Sequence, residues 1–154
     1  MNIFTNNADF YPTPDEVINT MTMSEDFVGK TILEPSAGKG NIVDWLKKNG
    51  AGKVIACEKD TNIKKLLNGK CDIIADDFLT VSSEQISHVD YIVMNPPFSE
   101  GAKHILHAFE LEALTVLCEI TTWNGERRSS GGSSSVRALR KEQCTLILKM
   151  KRCG

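Results

Sequence analysis

Short apolar runs alternate with amphipathic stretches along most of the chain, and this alternation constrains the fold more than any other feature. Five of the runs have the length of strands, namely KTILEPS, GKVIACE, CDIIADD, DYIVMN and LTVLCEI. None shows the apolar–polar alternation of a strand with one solvated face, so both faces are expected to be covered. Helical crossovers between parallel strands are right-handed in nearly all proteins. The pattern therefore predicts an α/β fold with a doubly wound, mostly parallel sheet.

The amphipathic stretches between these runs predict the helices that flank the sheet. The first helix is expected to begin with Thr13 as its cap, Pro14 in the first helical position and Glu16 completing a capping box. The stretch GAKHILHAFEL predicts a helix after the fourth strand. Its predicted apolar face consists of Ile105, Leu106 and Phe109.

Four consecutive strands are predicted to end in a polar side chain. These side chains are Glu34, Glu58, Asp77 and Asn95, separated by 24, 19 and 18 residues, about one strand–helix unit each. Because the strands are parallel, their carboxyl ends meet at one edge of the sheet. Ligands of doubly wound folds bind beyond that edge, where the strand order reverses. We therefore expect a ligand site among these four strand ends.

The turn after the first strand, Glu34-Pro-Ser-Ala-Gly-Lys-Gly40, matches neither common phosphate-binding motif. Lys39 is followed by Gly40 where a P-loop has Ser or Thr, and Val43 stands where a dinucleotide fingerprint has its third glycine. The two glycines permit close backbone approach to a ligand, although a plain strand–helix turn has the same composition. Glu34 would repel a pyrophosphate and suits a cationic group instead.

The next two strand ends each allow two interpretations. Glu58 is either a solvated charge or the acid that accepts both hydroxyls of a ribose. Asp77 either caps a helix above a core Phe78, or accepts from an exocyclic amine while Phe78 lies against a purine ring. Together with the first turn, these residues favour a nucleoside that carries a positive charge and no phosphate.

The fourth strand end, YIVMNPPF, completes a set of motifs that resembles a known family. With FYPTPDEV, ILEPSAGKGNI, ACEKD and DDFL in order over residues 10–110, the chain resembles the class I S-adenosylmethionine-dependent methyltransferases, and among them the N6-adenine DNA methyltransferases of phage and restriction–modification type. The resemblance implies a Rossmann-like methyltransferase fold, S-adenosylmethionine as cofactor and DNA as substrate. Asn-Pro-Pro-aromatic also occurs in enzymes that methylate RNA bases or protein glutamine, so these acceptors are alternatives.

The resemblance implies a role for each residue of the cofactor site. Tyr11 and Thr13 would bind the cofactor, Thr13 at its carboxylate. Glu34 would lie near the ammonium group. Glu58 would bind the ribose hydroxyls, and Asp77 would accept from the adenine amine. The remaining contacts would come from the turn residues Pro35, Ser36, Ala37, Gly38 and Gly40, from Phe78 against the adenine ring, and from Asn95.

The same resemblance assigns the methyl acceptor to the residues after the fourth strand. The Asn95 side-chain oxygen and the Pro96 carbonyl would accept the two hydrogens of a planar amine and draw its nitrogen toward tetrahedral geometry. Phe98 would stack on a base flipped out of a helix. Pro96 and Pro97 would keep the turn rigid. Taken alone, the four residues are also compatible with a simple turn at a strand end.

Charge divides the chain near Trp123. Residues 1–123 contain 10 Lys, no Arg and 18 acidic residues, a net charge of −8, whereas residues 124–154 contain 5 Arg, 3 Lys and 2 Glu, a net charge of +6. We therefore predict a methyltransferase domain over 1–123 and a basic Ser/Gly-rich tail over 124–154. The C-terminal strands of the fold are expected to be incomplete, with CTLILKM as one strand and VRALRKEQ as a turn of helix.

The tail itself has two interpretations. A basic segment of this kind can hold a nucleic-acid backbone through salt-sensitive contacts. Alternatively, the coding frame shifted between Glu110 and Trp123, so that the end departs from the family pattern and the chain keeps the cofactor site with little turnover. We favour the second interpretation.

Composition excludes several other classes. No apolar run approaches the ~20 residues of a membrane span, and the N-terminus lacks the pattern of a signal peptide, so a cytoplasmic protein is expected. Five cysteines without a CxxC pair predict reduced thiols. His104 and His107 have a spacing that metals can use, but no third ligand is near them in sequence, so no metal site is expected.

Overall fold

Six strands form one sheet in the computed structural model, which describes residues 12–23, 25–111, 115–123 and 143–151; for residues 115, 119–123 and 143–151 it describes the backbone alone. The strand order is β3-β2-β1-β4-β5-β6. Strands β1 to β5 are parallel, and β6 pairs antiparallel with β5. The predicted doubly wound, mostly parallel sheet is confirmed. The strands are β1 (Thr31–Glu34), β2 (Lys53–Cys57), β3 (Asp72–Ala75), β4 (Tyr91–Met94), β5 (Thr115–Trp123) and β6 (Gln143–Lys151).

Four α-helices connect and flank these strands. They are α1 (Asp15–Thr22), α2 (Asn41–Lys48), α3 (Thr61–Lys64) and α4 (Gly101–Glu110). Short 3-10 turns follow at Lys65–Leu67 and Phe78–Thr80. The chain crosses from β3 at one edge to β4 beside β1, so the strand order reverses between β1 and β4.

Two apolar clusters cover the two faces of the sheet. Neighbouring residues of β1 face opposite sides, because Ile32 belongs to the cluster under α1 and α2 while Leu33 belongs to the cluster that includes Phe78 and Ala108. Burial on both faces explains why the strands lack polar alternation. The rigid two-sided core holds the loops at the carboxyl edge in place.

The predicted start of the first helix is wrong by one residue. Pro14 is the N-cap of α1 and no side chain caps the helix, so the predicted capping box of Thr13 and Glu16 does not form. Pro14 instead accepts from the backbone N–H groups of Val17 and Ile18 with its carbonyl. Thr13 is buried, and its hydroxyl contacts a side chain from the far end of β4.

The predicted apolar face of α4 is also wrong in part. Leu106 and Phe109 are 64% and 68% exposed, whereas His104 and Ala108 are buried and Ile105 packs at the edge of the core. The small side chain of Ala108 lets the helix approach the sheet, and His104 fits beside the ring of Phe78. The face of α4 that contains His104 and Ala108 is therefore buried because it fits against the sheet, although the opposite face has larger apolar residues.

The C-terminal predictions are only partly accessible to the structure. Strand β5 ends at Trp123, and β6 contains the predicted strand CTLILKM. Residues 136–142 of the segment VRALRKEQ lie outside the described residues, as do residues 124–135 of the Ser/Gly-rich tail, and Gln143 begins β6. Within the residues that the structure describes, no helix has the length and apolarity needed to cross a membrane.

Candidate active site

A cleft of about 470 Å³ opens at the carboxyl edge of the sheet, where the strand order reverses. The loops that follow β1, β2, β3 and β4 line it, together with Pro12 and Thr13 before α1. The four predicted strand ends therefore converge on one site. The sequence-predicted residues that line the cleft are Thr13, Pro35, Ser36, Ala37, Gly38, Glu58, Asp77, Phe78, Asn95 and Pro97.

Other predicted site residues lie behind the cleft wall or beyond the described chain. Glu34, Gly40, Pro96 and Phe98 are not part of the lining. Pro96 is buried and Phe98 is half-buried. Tyr11 lies outside the residues that the structure describes. The cleft wall therefore contains ten of the predicted residues, while Glu34, Gly40, Pro96 and Phe98 lie outside it.

The glycine-rich turn is held by backbone bonds to the neighbouring strand. The N–H of Ala37 donates to the carbonyl of Cys57 at 3.1 Å, and the N–H of Gly38 donates to the Glu58 carboxylate at 2.8 Å. Gly38 and Gly40 have φ of 53° and 86°, a region that favours glycine. These bonds position the turn so that its backbone forms one wall of the cleft.

Glu34 is the most unusual ionisable group near the site. It is fully buried, and one carboxyl oxygen accepts from the N–H of Ser36 at 3.0 Å. The other oxygen, Oε2, accepts no hydrogen bond from any described residue. Burial raises the pKa of Glu34 to about 8, opposed by the Ser36 hydrogen bond and reinforced by the charge of Glu58. Glu34 thus places a proton-binding group directly behind the turn.

Glu58 follows β2 and is tied to two loops at once. Its Oε2 accepts from Gly38, and its Oε1 accepts from the N–H of Asp60 at 2.8 Å. These bonds hold the carboxylate at the cleft wall. Each oxygen of a carboxylate can accept two hydrogen bonds, and each Glu58 oxygen accepts one of these bonds from the backbone. Both oxygens can therefore still accept a hydrogen bond from a ligand hydroxyl.

Asp77 and Phe78 show the features of both interpretations drawn from the sequence. Asp77 caps the 3-10 turn by accepting from the N–H of Leu79 at 3.0 Å, which is the main cause that lowers its pKa. Its second oxygen lies 3.1 Å from the ammonium of Lys59. Phe78 is 1% exposed and packs in the core. Both residues also line the cleft, so a ligand would meet the edge of a core ring and a capping carboxylate.

Asn95 follows β4 and contacts the segment before α1. Its Nδ2 donates to the hydroxyl oxygen of Thr13 at 3.0 Å, and both residues line the cleft. Met94, which precedes Asn95, is fully buried, and so anchors the loop to the core. The structure therefore places the amide of Asn95 in the same cleft as the carboxylates of Glu58 and Asp77.

His104 is a cleft residue that sequence reasoning did not predict. It is buried on α4, and its Nδ1 lies 3.3 Å from the hydroxyl of Ser36. Burial lowers the pKa of His104 below its ordinary value, against the raising effect of the nearby charges of Glu100 and Asp77. The sequence singled out His104 only for its spacing from His107, and its place on the helix after the Asn95 loop was the signal that could have assigned it to the cleft. A neutral imidazole here adds no positive charge to the cleft.

The charge of the lining favours a cationic ligand. Five acidic residues line the cleft and only two lysines do, Lys39 and Lys59. Fields in a cleft lined by one sign of charge concentrate ligands of the opposite sign. The acidic lining residues are Glu58, Asp60, Asp76, Asp77 and Glu100.

Metal-ligating side chains do not form a cluster in the part of the chain that the structure describes. Among the described residues, no group of three or more His, Cys, Asp or Glu side chains could hold a metal ion. Of the cysteines in those residues, Cys57 and Cys118 are buried thiols and Cys71 is half-buried.

Solved structures with similar architecture include RNA methyltransferases. An RNA methyltransferase from Salinibacter ruber in complex with S-adenosyl-L-homocysteine superposes with a TM-score of 0.59 at 18% identity. A candidate RNA methyltransferase from Pyrococcus horikoshii has the same TM-score at 27% identity, and a dimethyladenosine transferase from Plasmodium falciparum has a TM-score of 0.56 at 14% identity. The chain has the Rossmann-like fold of the S-adenosylmethionine-dependent methyltransferases.

The extent of the similarity differs among these proteins. The matched region covers 71% of this chain and 77% of the Salinibacter protein, 71% and 61% for the Pyrococcus protein, and 73% and 42% for the Plasmodium protein. The chain therefore spans less than two thirds of the second and third proteins. No protein-family model and no curated protein matches the sequence.

Proposed function

We propose that the chain is an S-adenosylmethionine-dependent methyltransferase that acts on the exocyclic N6 amine of adenine in DNA. The observation that carries this proposal is the position of Asn95, whose amide lies in the same cleft as Glu58 and Asp77. An amide acceptor for an amine and carboxylates suited to a nucleoside then share one space. That combination fits transfer between two adjacent ligands better than the binding of one ligand.

The residues of the cleft fit the cofactor. Glu58 can accept from the ribose hydroxyls and Asp77 from the adenine amine, and the acidic lining suits a ligand with cationic groups. The buried Oε2 of Glu34, which lacks a donor among the described residues, adds negative potential behind the turn once it is ionised. The cofactor would supply an electrophilic methyl group. Asp77 would exchange its contact with Lys59 for the adenine amine.

Asn95 and Pro96 would act on the amine that receives the methyl group. The nitrogen of an exocyclic amine is a poor nucleophile because its lone pair is delocalised into the ring. Two acceptors, the amide oxygen of Asn95 and the carbonyl of Pro96, would bind its two hydrogens and favour tetrahedral geometry at nitrogen. Holding the amine beside the cofactor would supply most of the rate enhancement.

An adenine in RNA is the second candidate acceptor. The similar proteins from Salinibacter ruber and Plasmodium falciparum are an RNA methyltransferase and a dimethyladenosine transferase. The acceptor chemistry of Asn95 is the same for adenine in either nucleic acid. The N-terminal motif and the Glu-Pro-Ser turn of this sequence favour DNA. The side-chain amide of protein glutamine, which also has an NH2 on a planar group, is the third candidate methyl acceptor.

The test is methyl transfer from radiolabelled S-adenosylmethionine to separate pools of DNA, RNA and protein. We expect label in DNA as N6-methyladenine. Asn95→Ala should lower the transfer rate at least about a hundredfold, because it removes one of two acceptors that act on the reacting nitrogen. Cofactor affinity, measured by calorimetry, should change by less than about threefold, a difference of under ~0.7 kcal/mol.

Asn62→Ala is the matched control, since Asn62 is exposed on α3 and does not line the cleft. It should retain the full transfer rate. If the label appears mainly in RNA, adenine in RNA and not in DNA is the methyl acceptor. Cofactor binding without transfer to any pool would contradict an enzymatic function, and equal rates for Asn95→Ala and the unmodified chain would contradict the role of Asn95.

A further inference from the structure

Thr13 has a contact that its predicted role in cofactor binding does not account for. Its side chain is only 4% exposed, and its hydroxyl oxygen lies 3.0 Å from Nδ2 of Asn95, 82 residues away in sequence. The hydroxyl does not cap α1, although Thr13 stands directly before the helix N-cap Pro14. A buried hydroxyl is therefore directed at the amide that is proposed to bind the methyl acceptor.

An asparagine amide needs such a partner if its orientation matters. Rotation of the amide by 180° exchanges its oxygen and nitrogen with almost no change in shape, so packing alone does not select one orientation. A neighbouring hydroxyl selects the orientation with nitrogen at its end when its own hydrogen is donated to another group, because it then only accepts from the amide. Thr13 lies at one end, and the oxygen of Asn95 then occupies the other.

We infer that Thr13 is a positioning residue for Asn95, a role that depends on the proposed function. Thr13 holds the nitrogen of the amide so that its oxygen is presented to the amine of the methyl acceptor. A threonine hydroxyl both accepts and donates hydrogen bonds. The same oxygen can therefore accept from Asn95 and donate its hydrogen to an anionic group of the cofactor, which would couple cofactor binding to the orientation of Asn95.

The first experiment measures the Asn95 amide without turnover. In the ¹⁵N-labelled full chain, the two side-chain N–H signals of Asn95 are identified by their loss in Asn95→Ala. We expect Thr13→Val to shift these signals and to accelerate their exchange with solvent by about tenfold, as the loss of one buried hydrogen bond implies. Thr13→Ser keeps the hydroxyl and should leave both signals close to those of the unmodified chain.

The second experiment separates positioning from cofactor binding. At saturating S-adenosylmethionine, Thr13→Val should still lower kcat for methyl transfer by about tenfold or more, whereas the loss of a hydrogen bond to the cofactor alone would raise Kd and leave the saturated kcat unchanged. Thr13→Ser should restore kcat. Thr13→Ala provides a second variant without the hydroxyl, and the unfolding midpoint of each variant by circular dichroism shows which chains are folded.

Three results would overturn the inference. Unchanged Asn95 signals in Thr13→Val and Thr13→Ala would show that the hydroxyl does not hold the amide. A raised Kd with unchanged kcat would make Thr13 a cofactor ligand only. Failure of Thr13→Ser to restore kcat would indicate a packing role. Absence of methyl transfer by the unmodified chain would contradict the proposed function instead, and the exchange measurement would still decide whether Thr13 orients Asn95.

Discussion

Glu34 shows at the residue scale how burial changes the chemistry of an ordinary carboxyl group. The side chain is fully buried at the end of β1, and only one of its two oxygens has a hydrogen-bond donor among the described residues. An ionised carboxylate without donors is costly in an apolar surrounding. The group therefore favours its protonated form, and its pKa rises to about 8. This makes the stability of the fold depend on the state of one proton.

Glu34→Gln is expected to change the pH dependence of stability. The pKa of Glu34 is about 8 in the folded chain against 4.5 for an ordinary glutamate, so the folded chain binds more protons between these values. The stability that Glu34 contributes is thus fully present below pH 4.5 and is lost by pH 8. Its slope is about 1.4 kcal/mol per pH unit. Denaturant unfolding at several pH values measures it.

Glu16→Gln is the control for this prediction, because Glu16 is an exposed glutamate on α1. The free energy of unfolding of the control should follow the unmodified chain across the same pH range. The free energy of unfolding of Glu34→Gln should stay nearly constant from pH 4.5 to 8 while that of the unmodified chain falls, so the variant gains stability relative to the unmodified chain as the pH rises. A constant difference at all pH values would mean that Glu34 is already ionised in the folded chain.

The element that most directly shapes the site is the strand–turn–helix unit from β1 to α2. Gly40 caps α2 with a φ of 86°, and a Cβ at this position would meet Cδ2 of Leu67 at 3.0 Å. Leu67 is fully buried, so its side chain has little room to move. Both the backbone and the packing therefore favour glycine here, although the sequence alone suggested only a tight turn.

Gly40→Ala is expected to destabilise the fold and weaken cofactor binding. The positive φ costs about 1 kcal/mol for a residue with a Cβ, and overpacking against Leu67 adds roughly 1–3 kcal/mol. Gly69→Ala is the matched control, since Gly69 has a φ of 76° but no atom within 4 Å of the added Cβ. The control should show only the backbone cost. If both variants lose the same free energy of unfolding, the contact between the added Cβ and Leu67 does not contribute to the loss.

Helix α4 illustrates where prediction at the scale of elements fails. Its existence and its position after β4 follow from the sequence pattern, and both are confirmed. Its buried face does not follow from that pattern, because Phe109 is exposed while the polar His104 is buried beside Phe78. Which face of a helix is buried depends on the shape of the surface below it, and local periodicity does not contain that shape.

At the scale of the whole molecule, charge is separated along the chain. The acidic residues of 1–123 include the five that line the cleft, whereas all arginines lie in residues 124–154. An acidic cleft suits a cationic cofactor but repels a polyanionic substrate. Under the first interpretation of the tail, the basic residues of 124–154 would supply the contacts to DNA, and under the shifted-frame interpretation they would not.

Replacement of the five arginines by glutamine should make activity on DNA less sensitive to salt. For duplex DNA, log affinity falls with log salt concentration, and each lost phosphate contact makes this fall less steep by roughly 0.9. The measurement is kcat/KM for DNA at several salt concentrations. The control replaces serines 129, 130 and 133–135 by glycine, which alters the same segment without a change in charge. An unchanged slope in the arginine variant would exclude these contacts.

The sequence by itself determined the strands β1 to β5, their parallel arrangement and the convergence of the loops after β1 to β4, because apolar runs of strand length with two buried faces have few alternatives. It also identified most residues of the cleft wall, since each follows directly after a strand. These are properties of local order along the chain.

Only the tertiary structure decided which of those residues act on one another. The hydroxyl of Thr13 turned out to contact Asn95 rather than cap α1, His104 entered the cleft from a helix, and Glu34 became fully buried behind the turn. Each outcome depends on atoms far apart in sequence that compete for the same space and the same hydrogen bonds. The pattern of neighbouring residues along the sequence contains no information about these distant contacts. They are determined when the elements pack together.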